Sequence, residues 1–156
     1  MDAFGKISGQ NVGRAVRSFG FFALFYFYIW LAVDTRLIYH SYEMAENFPV
    51  FYKDWDFFQK FISYPGGDVE YLSALLSQFF YYSWAGALVI TLQAWLICLC
   101  TGKFIKAIQA PQLYWVRFVP PILMLIVYTK YTYHFANTMA LLTSLVFVCI
   151  YLKLSL

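Results

Sequence analysis

Carboxylates are missing from most of this chain. Of its 156 residues only eight are Asp or Glu, and apart from Asp2 all of them lie between Asp34 and Glu70. The eleven Lys and Arg residues are scattered without a basic run. Nucleic-acid binding needs a clustered basic face. The sequence therefore excludes nucleic acid as a partner.

Motifs that carry chemistry are absent as well. The sequence has no nucleophile paired with a base, no phosphate-binding glycine loop and no metal-ligand spacing. Its three cysteines, Cys98, Cys100 and Cys149, lie in or at the end of apolar runs. This odd number and the C-x-C spacing predict buried structural thiols. We therefore expect no metal site and no self-contained enzyme, and the sequence leaves any cofactor unknown.

Apolar residues make up 62% of the chain and charged residues only 12%. A soluble domain contains about half apolar and about a quarter charged residues. A soluble fold this short could not bury so much apolar surface, because small domains leave much of their surface exposed. We therefore expect an all-α integral membrane protein in which residues 1–156 form a single domain, a bundle of about four transmembrane helices.

Four charge-poor runs are predicted to cross the bilayer, since about 20 apolar residues span its hydrocarbon core. They are residues 18–33, 71–102, 113–129 and 135–152. The first follows a polar arm, residues 1–17, and is predicted to be an uncleaved signal anchor. The second is longer than the core is thick, so it either tilts or bends near Ser83–Gly86. Lys130 is predicted to lie in a turn, because a lysine at mid-bilayer costs about 2.5–3.5 kcal/mol.

The polar segment, residues 34–70, is predicted to carry a helix that lies along the membrane interface. Within KDWDFFQKFI the apolar side chains share one helical face, which is typical of an interfacial amphipathic helix. That face consists of Trp55, Phe58, Phe61 and Ile62. Pro65-Gly66-Gly67 then breaks the chain, and Asp68 is the predicted N-cap of the next helix.

Basic residues are divided unequally between the two sides of the predicted bundle. Seven fall on the side of the N-terminal arm and four on the other side. By the positive-inside rule both termini are predicted to be cytoplasmic, with residues 34–70 facing outward. This topology is that of a multi-pass membrane protein.

A few polar residues are candidates for chemistry, and each has a structural alternative. Asp34 follows the first span and is either a catalytic carboxylate at the membrane surface or a residue at the end of a helix. His40 and His134 are either metal or haem ligands or interfacial hydrogen-bonding residues. Lys130 either binds an anionic lipid head group or marks the turn.

Two amides and a group of small residues lie within the second apolar run. A glutamine inside a span commonly bonds to a neighbouring helix, and we expect this of Gln78 and Gln93. Small side chains at Ser83, Ala85, Gly86 and Ala87 predict a close contact between helices.

Three stretches carry a family resemblance. They are D-x-x-L-x-Y-H at Asp34–His40, FISYPGGDVEYLSALLSQFFYYSWAGALVITLQAW at Phe61–Trp95, and RFVPPILML at Arg117–Leu125. Residues 34–102 resemble the N-terminal part of an uncharacterised family of bacterial polytopic membrane proteins, which implies further spans and soluble parts in longer members. More distantly, the layout is similar to that of GT-C-type glycosyltransferases. That resemblance implies a role in lipid-linked glycan transfer for Asp34 alone.

The leading hypothesis is a non-catalytic small subunit that helps to assemble a larger membrane complex. Its partners would be membrane lipids and other integral membrane subunits. Aromatic side chains suit such an interface, and the predicted contact residues are Phe21, Phe25, Tyr28, Trp55 and Phe58. The alternatives are a module of a GT-C-like glycan transferase, and a carrier, a channel or a subunit that binds a pigment, a quinone or a lipid.

Overall fold

The computed structural model describes residues 2–40, 51–131 and 133–155, with side chains described from residue 16 to 38 in the first segment. This part of the chain is helical and contains no strand, which confirms the predicted all-α class. Residues 41–50 of the predicted outward loop lie outside the described part, as do the side chains of residues 1–15 in the N-terminal arm.

Seven α-helices and two 3-10 segments follow one another in the described ranges. The helices are α1 (Asp2–Ala32), α2 (Thr35–His40), α3 (Trp55–Ile62), α4 (Gly67–Ser77), α5 (Ser83–Ala107), α6 (Val119–Tyr128) and α7 (Phe135–Ser155). The 3-10 segments are Gln78–Tyr81 and Pro111–Phe118. Helices α5 and α7 are long and apolar enough to cross a membrane, and Val16–Ala32 is a shorter apolar helix.

Helix α1 is longer than the predicted first span. It begins at Asp2 and continues without a break through the arm, residues 1–17. The first proline of the chain is Pro49, so no residue in this stretch lacks the N–H that a helix interior needs. The arm is therefore a helical extension of the apolar segment, and its cytoplasmic location stays a prediction.

The second apolar run is broken near its middle. Helix α4 ends at Ser77, a 3-10 turn follows, and Tyr82 is extended (φ −102°, ψ 116°) before α5 begins. The sequence left open whether this run tilts or bends, and in the structure it bends. The bend lies about one turn before the predicted Ser83–Gly86. The predicted third span is likewise divided between the second 3-10 segment and α6, with Pro120 in the first turn of α6.

Helix α5 is the centre of the bundle and packs against α1, α6 and α7. Small buried residues along it, including Gly86 and Ala94, let its neighbours approach. A Cβ added at Gly86 would lie 2.7 Å from Oγ1 of Thr35, which confirms the predicted close contact. The buried core is mostly aliphatic and aromatic, with Phe25, Ile29, Phe80, Ile90, Ile97, Tyr128 and Phe135 among its members.

Side-chain contacts gather two sets of residues at opposite ends of the long helices. At one end Arg117 donates from Nη2 to Oγ of Ser18 at 2.9 Å, and Cys149 donates from Sγ to the Cys100 carbonyl at 3.6 Å. At the other end the Asp34 N–H donates to Oη of Tyr131 at 3.1 Å. We call the first the Arg117 end and the second the Asp34 end.

Helices α3 and α4 form a hairpin around Tyr71. Its ring lies 5.0 Å from that of Phe58 and 5.9 Å from that of Phe61. Gly66 in the turn has φ +86°, a region that favours glycine. Gly66 is also the N-cap of α4, so the prediction of Asp68 as N-cap was wrong. Asp68 lies in the first turn, where its charge still suits the helix N-terminus.

Candidate functional site

The aromatic residues predicted to form an interface divide into buried and accessible ones. Phe25 is only 3% exposed and belongs to the core of this chain. Phe21 is half-buried and its ring packs edge-on against Phe118 at 5.0 Å. Phe58 is half-buried against Tyr71. Of the five, Tyr28, 46% exposed, and Trp55, 71% exposed, are the accessible ones.

Two larger apolar surfaces extend beyond the predicted residues. One is the outer face of α1, where Phe19, Leu24, Phe27 and Leu31 are exposed in addition to the predicted Tyr28. The other is the second half of α7, residues 143–155, in which no residue is buried. We call it the uncovered α7 half, and its exposed apolar side chains are Val146, Phe147, Val148, Ile150, Tyr151 and Leu154. Such a surface needs either lipid or protein against it.

The contrast between α5 and α7 shows how little of α7 this chain covers. In the most apolar 18-residue window 44% of the residues of α5 are buried, against 22% in α7. All four buried residues of α7 lie between Phe135 and Leu142. In the second half Leu145 packs on the core and Cys149 bonds to Cys100, but most apolar side chains are exposed. This half therefore has room for a neighbour along about three turns.

Asp34 connects α1 to α2 and is exposed. Its Oδ1 accepts a hydrogen bond from the backbone N–H of Arg36 at 3.1 Å, and its own N–H donates to Tyr131. Arg36 in turn donates from Nε to the Tyr81 carbonyl at 3.2 Å. The carboxylate therefore caps the start of α2, which is the structural role that the sequence left open.

Of the two histidines, His134 has a described side chain. The side chain of His40 lies outside the described part. His134 is exposed, and its carbonyl accepts from the Asn137 N–H at 3.1 Å, at the start of α7. Among the described residues, no group of three or more His, Cys, Asp or Glu side chains could hold a metal ion.

A buried polar cluster joins three helices at the level of Gln93. Its Nε2 donates to Oγ1 of Thr138 at 3.0 Å, and its Oε1 accepts from Oη of Tyr128 at 3.2 Å. The Tyr128 and Thr138 hydroxyls are 2.6 Å apart. Gln93 therefore bonds to neighbouring helices as predicted. Gln78 instead donates to the Ala74 carbonyl of its own helix at 3.3 Å.

The predicted turn and thiols are present. Helix α6 ends at Tyr128 and Lys130 is exposed in the turn before α7. Cys98 and Cys100 are buried and Cys149 is half-buried, and all three are free thiols. Residue 132, within the same turn, lies outside the described part.

Arg117 is a candidate site residue that was not predicted from the sequence, where it counted only toward the topology. Its guanidinium carbon lies 4.2 Å from the ring centre of Tyr114 and 4.6 Å from that of Phe118. Nη1 donates to Oη of Tyr114 at 2.6 Å. The sequence does contain a pattern that could have pointed to this residue. Arg117 is a single positive charge among Tyr114, Trp115 and Phe118, a setting typical of cation–π contacts.

Comparison with known proteins gives the chain a family. Residues 13–156 match a family of unknown function, DUF6057. In its described part the protein is helical throughout its regular structure, with two helices that could span a membrane. The chain belongs to the DUF6057 family. No curated protein matches it, and no solved structure matches it.

Proposed function

We propose that this chain is a non-catalytic helical subunit that docks within the membrane to other chains of a larger complex. The observation that carries the proposal is the uncovered α7 half. Its surface combines aliphatic side chains with two rings, Phe147 and Tyr151. Aromatic side chains are enriched where proteins meet, because rigid rings bury a large area at a low cost in entropy.

Several polar residues are engaged in holding the fold. The Asp34 carboxylate caps α2. Gln93, Tyr128 and Thr138 bond to one another between helices. These contacts support a structural role for the residues concerned.

The topology is part of the proposal. In it the protein crosses the bacterial inner membrane four times. The bacterial proteins that its sequence resembles are polytopic as well. The spans are Val16–Ala32, α5, the second 3-10 segment with α6, and α7. Five described basic residues lie toward the Arg117 end of these elements: Arg17, Lys103, Lys106, Arg117 and Lys153. The positive-inside rule supports a cytoplasmic location for that end.

Photo-crosslinking in native membranes tests the docking. Benzoylphenylalanine is introduced at Phe147 and Tyr151, which are exposed, so the substitution does not disturb the core. The matched control is Leu123 on α6, which is exposed among aliphatic side chains only. We expect discrete protein adducts from both α7 positions and only lipid adducts from position 123.

Two results would count against the subunit. One is lipid adducts alone at all three positions, because lipid would then be the only neighbour of α7. The other is a single adduct of twice the chain's mass of 18.3 kDa, which would show that α7 contacts only a second copy of this chain.

The second candidate is the GT-C-like glycan-transfer module, and the exposure of Asp34 at the Asp34 end favours it. The Oδ1 atom of this residue accepts the Arg36 N–H. Replacing Asp34 by Asn keeps this acceptor and removes the charge. A subunit should therefore assemble normally with Asp34→Asn, whereas a transferase that uses this carboxylate would lose its transfer activity.

A further inference from the structure

Arg117 is a half-buried cation with an unmet hydrogen-bond requirement. Its two terminal nitrogens donate to Tyr114 and Ser18. Its Nε is buried and has no partner within the described part of the chain. Leaving a buried donor of a charged group unsatisfied is costly. The two bonds use two of the five N–H groups of the guanidinium, so an acceptor that reaches another terminal N–H would stabilise the site through a charge-assisted hydrogen bond.

An apolar groove between α1 and α5 leads to this guanidinium. Its volume is about 600 Å³. The lining residues are Ser18, Phe19, Phe22, Thr91, Leu92, Trp95, Leu99 and Arg117. From Thr91 to Leu99 the groove follows α5 for about 12 Å at 1.5 Å per residue. Arg117 and Ser18 supply its polar end, so the groove has the form that suits an amphiphile.

The charge around the polar end is of one sign. Residues 16–32, α5 and the second 3-10 segment contain no carboxylate. Lys106 adds a second cation, with Nζ lying 5.5 Å from the centre of the Tyr114 ring. The site is therefore complementary to an anion, and the planar guanidinium matches the geometry of a phosphate group.

We propose that this groove binds an anionic glycerophospholipid, with its phosphate at Arg117 and one acyl chain along α5 between Phe19 and Trp95. The stacking of Arg117 on Tyr114 and Phe118 fixes the direction of its N–H groups before the lipid arrives. Basic pockets between membrane helices on the cytoplasmic side are known to bind such head groups. The proposal rests on the proposed location in a membrane and not on a docked partner.

Native mass spectrometry of the full chain tests the site. The protein is purified in mild detergent, delipidated, and titrated with phosphatidylglycerol and phosphatidylcholine that carry identical acyl chains. We expect one retained phosphatidylglycerol with about tenfold preference. Arg117→Gln should weaken its binding about tenfold, which is about 1.4 kcal/mol and near the lower end for a hydrogen bond to a charged group.

Two further variants keep the test decisive. Lys103→Gln is the matched control, because it removes the same charge from an exposed residue that does not line the groove. It should leave the preference unchanged. Leu92→Trp fills the groove from an exposed position and should remove the bound lipid while Arg117 stays in place. This variant decides the question even if Arg117→Gln fails to fold.

Several results would overturn the proposal. Equal retention of the two lipids would do so, as would equal losses for Arg117→Gln and Lys103→Gln or retention of the lipid by Leu92→Trp. Displacement of the lipid by the same concentration of inorganic phosphate would assign the site to a free anion. Failure of the subunit proposal would be distinguishable from failure of the lipid site. If photo-crosslinking found no partner protein, the binding of phosphatidylglycerol would be unaffected.

Discussion

At the scale of single residues, Gly86 sets how closely α2 approaches α5. A Cβ at this position would lie 2.7 Å from Oγ1 and 2.8 Å from Cβ of Thr35. Thr35 is fully buried, and its hydroxyl donates to the Phe80 carbonyl at 3.2 Å. A larger residue at position 86 would therefore contact a Thr35 side chain that is already packed and hydrogen-bonded.

Replacing Gly86 by Ala is expected to destabilise the bundle. Overpacking a buried contact costs about 1–3 kcal/mol, and better helix propensity offsets at most about 1 kcal/mol. Thermal unfolding in detergent should therefore show a lower midpoint. Gly20→Ala is the control, since a Cβ there meets nothing within 4 Å. Unchanged or raised stability for Gly86→Ala would contradict the close contact.

The sequence predicted which side chains need a hydrogen bond better than it predicted the residues that provide it. An amide within an apolar run has to find a hydrogen bond, so the need of Gln93 was visible in the sequence. Its partners Tyr128 and Thr138 depend on how three helices are aligned in space, which a local pattern does not contain. Arg117 was missed for the same reason, because Ser18 is distant from it in the chain.

At the scale of elements, the α3–α4 hairpin depends on its two turn glycines in different ways. Gly66 supplies a positive φ of 86°. A Cβ on Gly67 would lie 1.7 Å from the Phe61 carbonyl oxygen, which is backbone and cannot rotate away. Across the turn, the Tyr64 hydroxyl donates to Oε2 of Glu70 at 2.6 Å. This hydrogen bond raises the pKa of Tyr64 above its ordinary value.

Gly67→Ala is therefore expected to separate α3 from α4, whereas Gly66→Ala should cost only about 1–2 kcal/mol for its left-handed backbone. Hydrogen exchange of residues 55–62 measures the difference. We expect much faster exchange in Gly67→Ala and a smaller increase in Gly66→Ala. Equal exchange rates in the two variants would show that the close approach to Phe61 does not hold the hairpin.

The sequence predicted the type of each element better than the residues at which it begins and ends. A helix within residues 53–62 was predicted from one apolar face and is present as α3, but that face divides in the structure. Phe58 and Phe61 pack on Tyr71, while Trp55 and Ile62 stay exposed. The break at Gln78–Tyr82 contains no Pro or Gly, so no local residue marked its exact place.

At the scale of the whole molecule, the helices leave apolar surface on the outside. The core between α1, α5 and the first half of α7 is closed, whereas the outer face of α1 and the uncovered α7 half are open. An abundance of aromatic residues predicted an interface, but composition does not say which rings fill the core. Phe25 was predicted to meet a partner and lies within the chain's own core.

Membrane topology is the central claim of this account, and labelling of single cysteines tests it most directly. Cys98, Cys100 and Cys149 are replaced by Ala, and a cysteine is introduced at Asp56 or Phe104, both exposed. In intact cells an impermeant maleimide should label position 56 at once, and position 104 only after permeabilisation. Labelling of both positions from the same side of the membrane would contradict the four-span topology.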